Sequence, residues 1–120
     1  QISLPTEIAR THPFREDLTL YGWEDVEWGM RLRDAGVALF YESSAHASHL
    51  HALTLEESLK RMETLGRSLV HLAKISPEFR KKITKARCFA LSVLALLPTM
   101  DGRHRKALLQ GIRREETKNQ

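Results

Sequence analysis

The residues best suited to chemistry are concentrated in residues 21–36, which contain two tryptophans, three glycines and four carboxylates. Within this stretch Glu24 and Asp25 directly follow Trp23. A positioned carboxylate takes a proton from a hydroxyl group, and an indole beside it offers an apolar wall to the C–H face of a sugar. The pattern therefore predicts a site for a hydroxylated ligand. The alternative is that the carboxylates only stabilise a helix start and that the tryptophans are core residues.

A helix is expected to position these side chains. Gly22 suits a turn that a side chain would obstruct, and Gly36 stands where a helix commonly ends in a left-handed residue. Between them, apolar residues recur at helical spacing on two adjoining faces. We predict a helix over about residues 24–35, with the acidic residues in its first turn.

Three histidines follow at positions 46, 49 and 51. If this segment is extended, His49 and His51 share one face and His46 points to the other. Two imidazoles are too few for a divalent cation, which needs further ligands from protein or substrate. The histidines are therefore either partners of nearby backbone and carboxylate groups or part of a metal site, including an autonomous His-x-His site.

Taken together, these residues resemble the C-terminal part of GT-A glycosyltransferases, in particular family 2 and the related galactosyltransferase C-terminal segment. The resemblance extends over about residues 14–79 and departs from the family at Phe14-Arg15-Glu16, where F-D-E is usual. The motif elements are Gly22-Trp23-Glu24-Asp25, Arg31-Leu32, Gly36, the short apolar run Val37–Tyr41, and His49-Leu50-His51.

The resemblance implies a fragment of an α/β protein of GT-A type, with this chain mostly α-helical and carrying one or two short strands. Residues 1–53 would be the acceptor-side part of the catalytic domain, and residues 54–120 a C-terminal helical region. The chain contains no D-x-D motif. That absence fits a missing N-terminal half, so we expect the chain alone to be inactive and to bind metal poorly.

By the same resemblance, the function is transfer of a sugar from a nucleotide-sugar donor to a saccharide acceptor, as in polysaccharide biosynthesis. The transfer would invert the configuration at the anomeric carbon. The catalytic residues would be Asp25 and Glu24: Asp25 would be the general base, and Glu24 would hydrogen-bond the acceptor sugar or orient the loop. Trp23 would stack on the acceptor. His49, with His51 second, would bind Mn²⁺ or Mg²⁺ in the complete enzyme. From the residues alone, Glu27 stays open as the base.

Charge and composition limit the other classes of function. Residues 1–60 contain five basic residues (Lys or Arg) and ten acidic residues (Asp or Glu). Residues 61–120 contain fourteen basic and five acidic residues. The basic half carries no nucleic-acid-binding motif, so a solvated face is expected and no nucleic-acid partner. The single cysteine, Cys88, suits a reducing cytoplasm, and no apolar run reaches the length of a membrane span. We expect a cytoplasmic protein, with peripheral membrane contact as a second interpretation.

The second half is expected to be helical. Thr54 and Glu57 form a capping box before a helix over about 55–74. Ser76-Pro77 begins a helix reaching about residue 97 that is apolar almost all round near its end, and a last helix spans about 103–116. Burial of the 77–97 helix between neighbours, or homo-oligomer packing through it, is favoured over a membrane interface. The alternative function is a non-catalytic helical interaction module of a larger protein.

Overall fold

The computed structural model describes residues 2–48 and 50–118, and all regular structure within them is helical. The elements in order are α1 (Thr6–Thr11), α2 (Glu24–Asp34), α3 (Leu55–Ile75), α4 (Pro77–Arg80), a 3₁₀ turn (Lys81–Ile83), α5 (Lys85–Leu94) and α6 (Met100–Lys118).

The expectation of an α/β chain with one or two strands is therefore wrong. No described residue lies in a strand, and Val37–Tyr41 has no regular structure. A strand is stable only when a neighbouring strand pairs with its backbone groups. An apolar run of β-type composition is not enough when the described part of the chain offers it no such neighbour.

The chain forms two compact units. The first comprises Gln1–Asp17 with Glu24–Ala52, and the second comprises Leu18–Trp23 with Leu53–Gln120. The expected division into a catalytic part at 1–53 and a helical region at 54–120 is a statement about function, and it stays a prediction.

In the first unit, the segment before α2 is held against that helix by Trp28. The indole Nε1 of Trp28 donates to the carbonyl oxygen of His12 at 2.6 Å. Phe14 stacks on the same indole, with ring centroids 4.6 Å apart. Trp28 and Leu32 are buried. Trp28 is thus a structural residue that anchors residues 12–14 to α2.

The second unit begins with a capping box, which confirms that prediction. The Thr54 side chain accepts from the backbone N–H of Glu57, and the Glu57 carboxylate accepts from the backbone N–H of Thr54 at 2.8 Å. Two N–H groups that a helix start leaves without partners are satisfied in this way. α3 accordingly begins at Leu55.

α3 packs closely on α6 because each helix places a glycine at the contact. A Cβ atom added to Gly66 would overlap the carbonyl oxygen of Leu108, and one added to Gly111 would overlap that of Glu63. The two backbones therefore approach closer than side chains would permit. The buried apolar residues of this unit are Leu69, Val70, Leu72, Ala73, Phe79, Ala107, Leu109 and Ile112.

The single helix expected over 77–97 is broken. Thr84 has extended backbone angles, φ −63° and ψ 148°, and its side chain accepts from the backbone N–H of Arg87. Thr84 thus caps a new helix, α5, where apolar spacing alone predicted continuity. No residue of α5 is buried, although Phe79 of α4 is, so the favoured burial is found at the start of the 77–97 segment and not along α5. In the part of the chain that the structure describes, no helix has both the length and the hydropathy needed to cross a bilayer.

Candidate functional site

The backbone takes an unusual path where α2 begins. Gly22 has φ +103° and Trp23 has φ +72°, so both lie in the left-handed region. Glycine adopts this conformation readily, but a bulky residue does so at a cost and usually where function or packing holds it there. Glu24, the next residue, is the first of α2.

Trp23 belongs to the second unit, where several contacts hold it. Its Nε1 donates to the carbonyl oxygen of Leu65 at 2.9 Å, and its ring meets Phe79 edge-on with centroids 6.1 Å apart. The neighbouring carbonyl of Gly22 accepts from the Ser68 hydroxyl at 2.9 Å. These contacts fix the half-buried indole and account for its strained backbone. Only the part of the ring that these contacts leave exposed is available to a ligand.

Glu24 and Asp25 differ in their surroundings. The Oε2 atom of Glu24 is buried and has no hydrogen-bond partner among the residues that the structure describes. Asp25 is exposed, and its Oδ1 accepts from the backbone N–H of Val26 at 2.8 Å. A buried acceptor without a donor is costly. That atom is closed to solvent in this conformation, so a ligand hydroxyl reaches it only after the Glu24 side chain turns outward, whereas the exposed Asp25 carboxylate is directly accessible to a hydroxyl.

Glu27 is engaged by Arg31 and serves the structure of α2. Glu27 is buried, and its two carboxylate oxygens lie 2.9 and 3.0 Å from Arg31 Nε. Arg31 also donates from Nη2 to the carbonyl oxygen of Pro13 at 2.8 Å. A carboxylate held in this way is less available as a base. Of the acidic residues in the first turn, Asp25 is therefore the better candidate.

The histidines do not assemble a metal centre from the described residues. His49 lies outside the described residues, and the exposed His46 and His51 lie in a segment without regular structure. Among the described residues there is no group of three or more histidine, cysteine, aspartate or glutamate side chains placed to hold a metal ion. The assignment of Mn²⁺ or Mg²⁺ to His49 and His51 stays a prediction that requires ligands beyond these.

Comparison of the chain with family models, curated proteins and solved structures finds no match. The resemblance to glycosyltransferases therefore rests on the pattern Gly22 to Asp25 and the residues that follow it. The geometry around Glu24 and Asp25 is independent of that resemblance, because it is measured on this chain.

Cys88 is a poor candidate for a nucleophile. Burial raises the pKa of its thiol above the ordinary value of 9.0, and the nearby Glu116 adds to this effect. The thiolate is the reactive form. A half-buried cysteine with a raised pKa on α5 therefore has the properties of a packing residue.

An open groove with a volume of about 750 Å³ lies between α5 and α6, and none of the predictions from the sequence included it. Lys106, Arg113 and Arg114 line it together with Ser92 and Leu96. Its only signal in the sequence is the density of basic residues on α6. The chain breaks at Thr84, and α5 starts as a separate helix after it. Apolar periodicity read over one continuous 77–97 helix therefore did not indicate which side of α5 meets α6.

Proposed function

We propose that this chain is the acceptor-side segment of an inverting glycosyltransferase that moves a sugar from a nucleotide-sugar donor to a saccharide hydroxyl. The observation that carries the proposal is the buried Oε2 of Glu24, which has no hydrogen-bond partner among the described residues, next in sequence to the exposed Asp25. The motif resemblance over residues 22–36 and 49–51 supports the same assignment.

In the proposed reaction Asp25 is the general base. Its carboxylate takes the proton from the acceptor hydroxyl as the hydroxyl oxygen attacks the anomeric carbon. The new C–O bond forms on the face opposite the departing nucleoside diphosphate, which leaves with the bonding electron pair. Attack from the opposite face inverts the anomeric configuration.

Glu24 and Trp23 position the acceptor in this proposal. When the Glu24 side chain turns toward the ligand, a second acceptor hydroxyl donates to its carboxylate, which gives Oε2 the hydrogen bond it lacks among the described residues and orients the sugar. The indole of Trp23, fixed through Leu65, packs its exposed part on the C–H face of the sugar. The contact with Glu24 orients the sugar so that its reacting hydroxyl meets the carboxylate of Asp25, the next residue on α2.

The proposal includes Mn²⁺ or Mg²⁺ in the complete enzyme, with His49 and then His51 as its ligands from this chain. Such an ion stabilises the negative charge of a departing diphosphate. The described residues do not form this site by themselves. The remaining ligands, and the nucleotide-sugar site, would come from outside this chain.

The test is Asp25→Asn in the protein expressed from the natural open reading frame that contains this chain. We expect turnover of nucleotide sugar to fall by about 10²–10⁴-fold, because the amide cannot accept the proton. Asp34→Asn is the matched control, since Asp34 is exposed at the other end of α2, and it should leave turnover unchanged. Circular dichroism checks that both variants fold. Retained turnover in Asp25→Asn would exclude Asp25 as the base.

A second candidate is a non-catalytic helical interaction module, favoured by the exposed apolar residues of α5. Saccharide titration monitored by NMR separates the two. Binding that shifts the resonances of Glu24 and Asp25, and that Glu24→Gln weakens, supports the acceptor site. A protein that turns over no nucleotide sugar and binds no saccharide fits the module instead.

A further inference from the structure

α5 presents an apolar stripe on the side that faces away from α6. Cys88, Leu91 and Ser92 are the half-buried residues of this helix, and Ser92 lies near Arg113 of α6. The opposite side carries apolar residues at helical spacing that are exposed to solvent. They are Ala86, Phe89, Ala90 and Val93, of which Phe89 is 72% exposed.

The apolar surface continues beyond the end of α5. Leu94 at the end of α5 and Leu96, Leu97 and Met100 after it are all exposed, and Leu96 reaches 82%. Six large apolar side chains are thus exposed within residues 89–100. Single exposed apolar residues are ordinary, but a run of this kind marks a surface that is covered in use.

The cations around this surface indicate what covers it. Residues 79–100 contain five basic side chains and no acidic one. Lys85 and Arg87 flank the stripe on α5, and Lys81 and Lys82 precede it. Lys106 and Arg113 line the groove that Leu96 also lines. Positive charge therefore borders the apolar surface at the start of α5, whereas the exposed Asp101 follows Met100 at its other end.

We propose that α5 and residues 94–100 dock onto the surface of a membrane that contains anionic phospholipid. The apolar side chains enter the interface, and the cations of residues 80–87 lie at the level of the lipid phosphates. Lys106 and Arg113 line the groove between α5 and α6 and add positive charge beside Leu96 rather than beside the α5 stripe. This mode of binding needs no spanning helix. The proposal stands whether or not the sugar transfer proposed above is confirmed.

A second copy of the chain fits this surface less well. A two-fold interface would pair the same patch with itself and would bring the five cations of each copy together. Like charges brought together in this way oppose association. Anionic lipid, in contrast, offers apolar tails to the stripe and negative charge to its border.

The test is sedimentation of this chain with vesicles. We expect it to pellet with phosphatidylcholine vesicles that contain phosphatidylglycerol, to stay in solution with phosphatidylcholine alone, and to be released by high salt. Changing Lys81, Lys82 and Lys85 to glutamine should lower the partition coefficient about a hundredfold, and Phe89→Ser with Leu96→Ser about tenfold or more.

The matched controls change residues on surfaces that lack either the exposed apolar side chains or the neighbouring cations. Phe40 is 92% exposed, but residues 37–52 contain no lysine or arginine, so Phe40→Ser should leave binding unchanged. Arg10, Lys60 and Arg103 are exposed outside the patch, and changing them to glutamine should have a much smaller effect than the Lys81, Lys82 and Lys85 changes. Leu96→Trp should show a blue-shifted emission with anionic vesicles, whereas Phe40→Trp should not.

Three results would overturn the proposal. The first is failure of the folded chain to pellet with anionic vesicles, and the second is binding that the Phe89 and Leu96 changes leave intact. The third is a dimer in light scattering that Phe89→Ser dissociates without any vesicle binding, which would assign the surface to a second copy. Circular dichroism of each variant separates lost binding from lost folding.

Discussion

The Nε atom of Arg67 on α3 donates to the Oε2 atom of Glu115 on α6 at 2.9 Å, and this ion pair joins the two longest helices. Glu115 is buried, and its other oxygen lies 3.0 Å from His71 Nε2. A buried carboxylate is tolerated only when charged or hydrogen-bonded partners compensate it. Arg67 and His71 provide that compensation within the α3–α6 contact.

We expect Arg67→Ala to lower the free energy of unfolding by about 2–3 kcal/mol, because it leaves the buried Glu115 with less compensation. Arg114→Ala is the matched control, since Arg114 also pairs across these helices, with Glu63, but is 60% exposed. Exposed pairs contribute less than about 1 kcal/mol. Urea unfolding measures both variants, and equal losses would contradict the role given to Glu115.

The stability that Glu115 contributes should depend on pH. The hydrogen bond from Arg67 lowers the pKa of Glu115 below its ordinary value of 4.5, with help from His71 and against the effect of burial. A pKa that is lower in the native state than in the unfolded chain favours the native state while the carboxylate is ionised. The ionised Glu115 carboxylate therefore contributes its full share of stability above pH 4.5, the ordinary glutamate pKa. This stability is lost as the pH falls through the lower pKa of Glu115 in the native state.

The measurement compares the wild-type chain with Glu115→Gln across acidic pH. We expect the wild type to be the more stable at neutral pH and its advantage to shrink once the pH falls below the ordinary glutamate pKa. The comparison cancels the other carboxylates, because they titrate in both proteins. An advantage that stays constant through this range would show that the ionised form of Glu115 is not what stabilises the fold.

Alanine at the helix contact should be destabilising. Gly66→Ala and Gly111→Ala each force a Cβ against a backbone carbonyl oxygen, so we expect a loss of about 2 kcal/mol or more. Gly29→Ala in α2 is the control, because nothing lies within 4 Å of the added Cβ. Helix propensity should make that change neutral or stabilising by up to about 1 kcal/mol. Thermal unfolding of the three variants tests this directly, and a stable Gly66→Ala protein would mean that the helices separate easily.

We expect Glu24 to lower the stability of the fold while contributing to saccharide binding. Glu24→Met removes a buried oxygen that has no partner in the described part of the chain, so we expect the free energy of unfolding to rise by about 0.5–1 kcal/mol. Saccharide binding or turnover should fall in the same variant. Glu27→Met is the control and should destabilise, because it leaves Arg31 without its carboxylate. Loss of stability in Glu24→Met would show that Glu24 has a structural role.

Local interactions made part of the fold predictable from the sequence. The capping box of Thr54 and Glu57 joins residues three positions apart, so the start of α3 is encoded in one short segment. The start of α2 at Glu24 was expected from Gly22 and from the acidic residues of the first turn, which also lie within one short segment. The candidate site could be named as far as Glu24 and Asp25, because residue type and order carry that information.

Other features depend on partners distant in the chain. The Arg67–Glu115 pair spans 48 residues, and no local pattern marks Arg67 as more than a surface residue. The buried oxygen of Glu24 and the fixed indole of Trp23 likewise arise from what surrounds them after folding. The absence of a strand at Val37–Tyr41 has the same cause, because pairing partners decide whether an apolar run becomes a strand. The sequence by itself thus determined the starts of α2 and α3 and the candidate chemistry. The tertiary structure decided burial, strain and pairing, because these depend on contacts between distant segments.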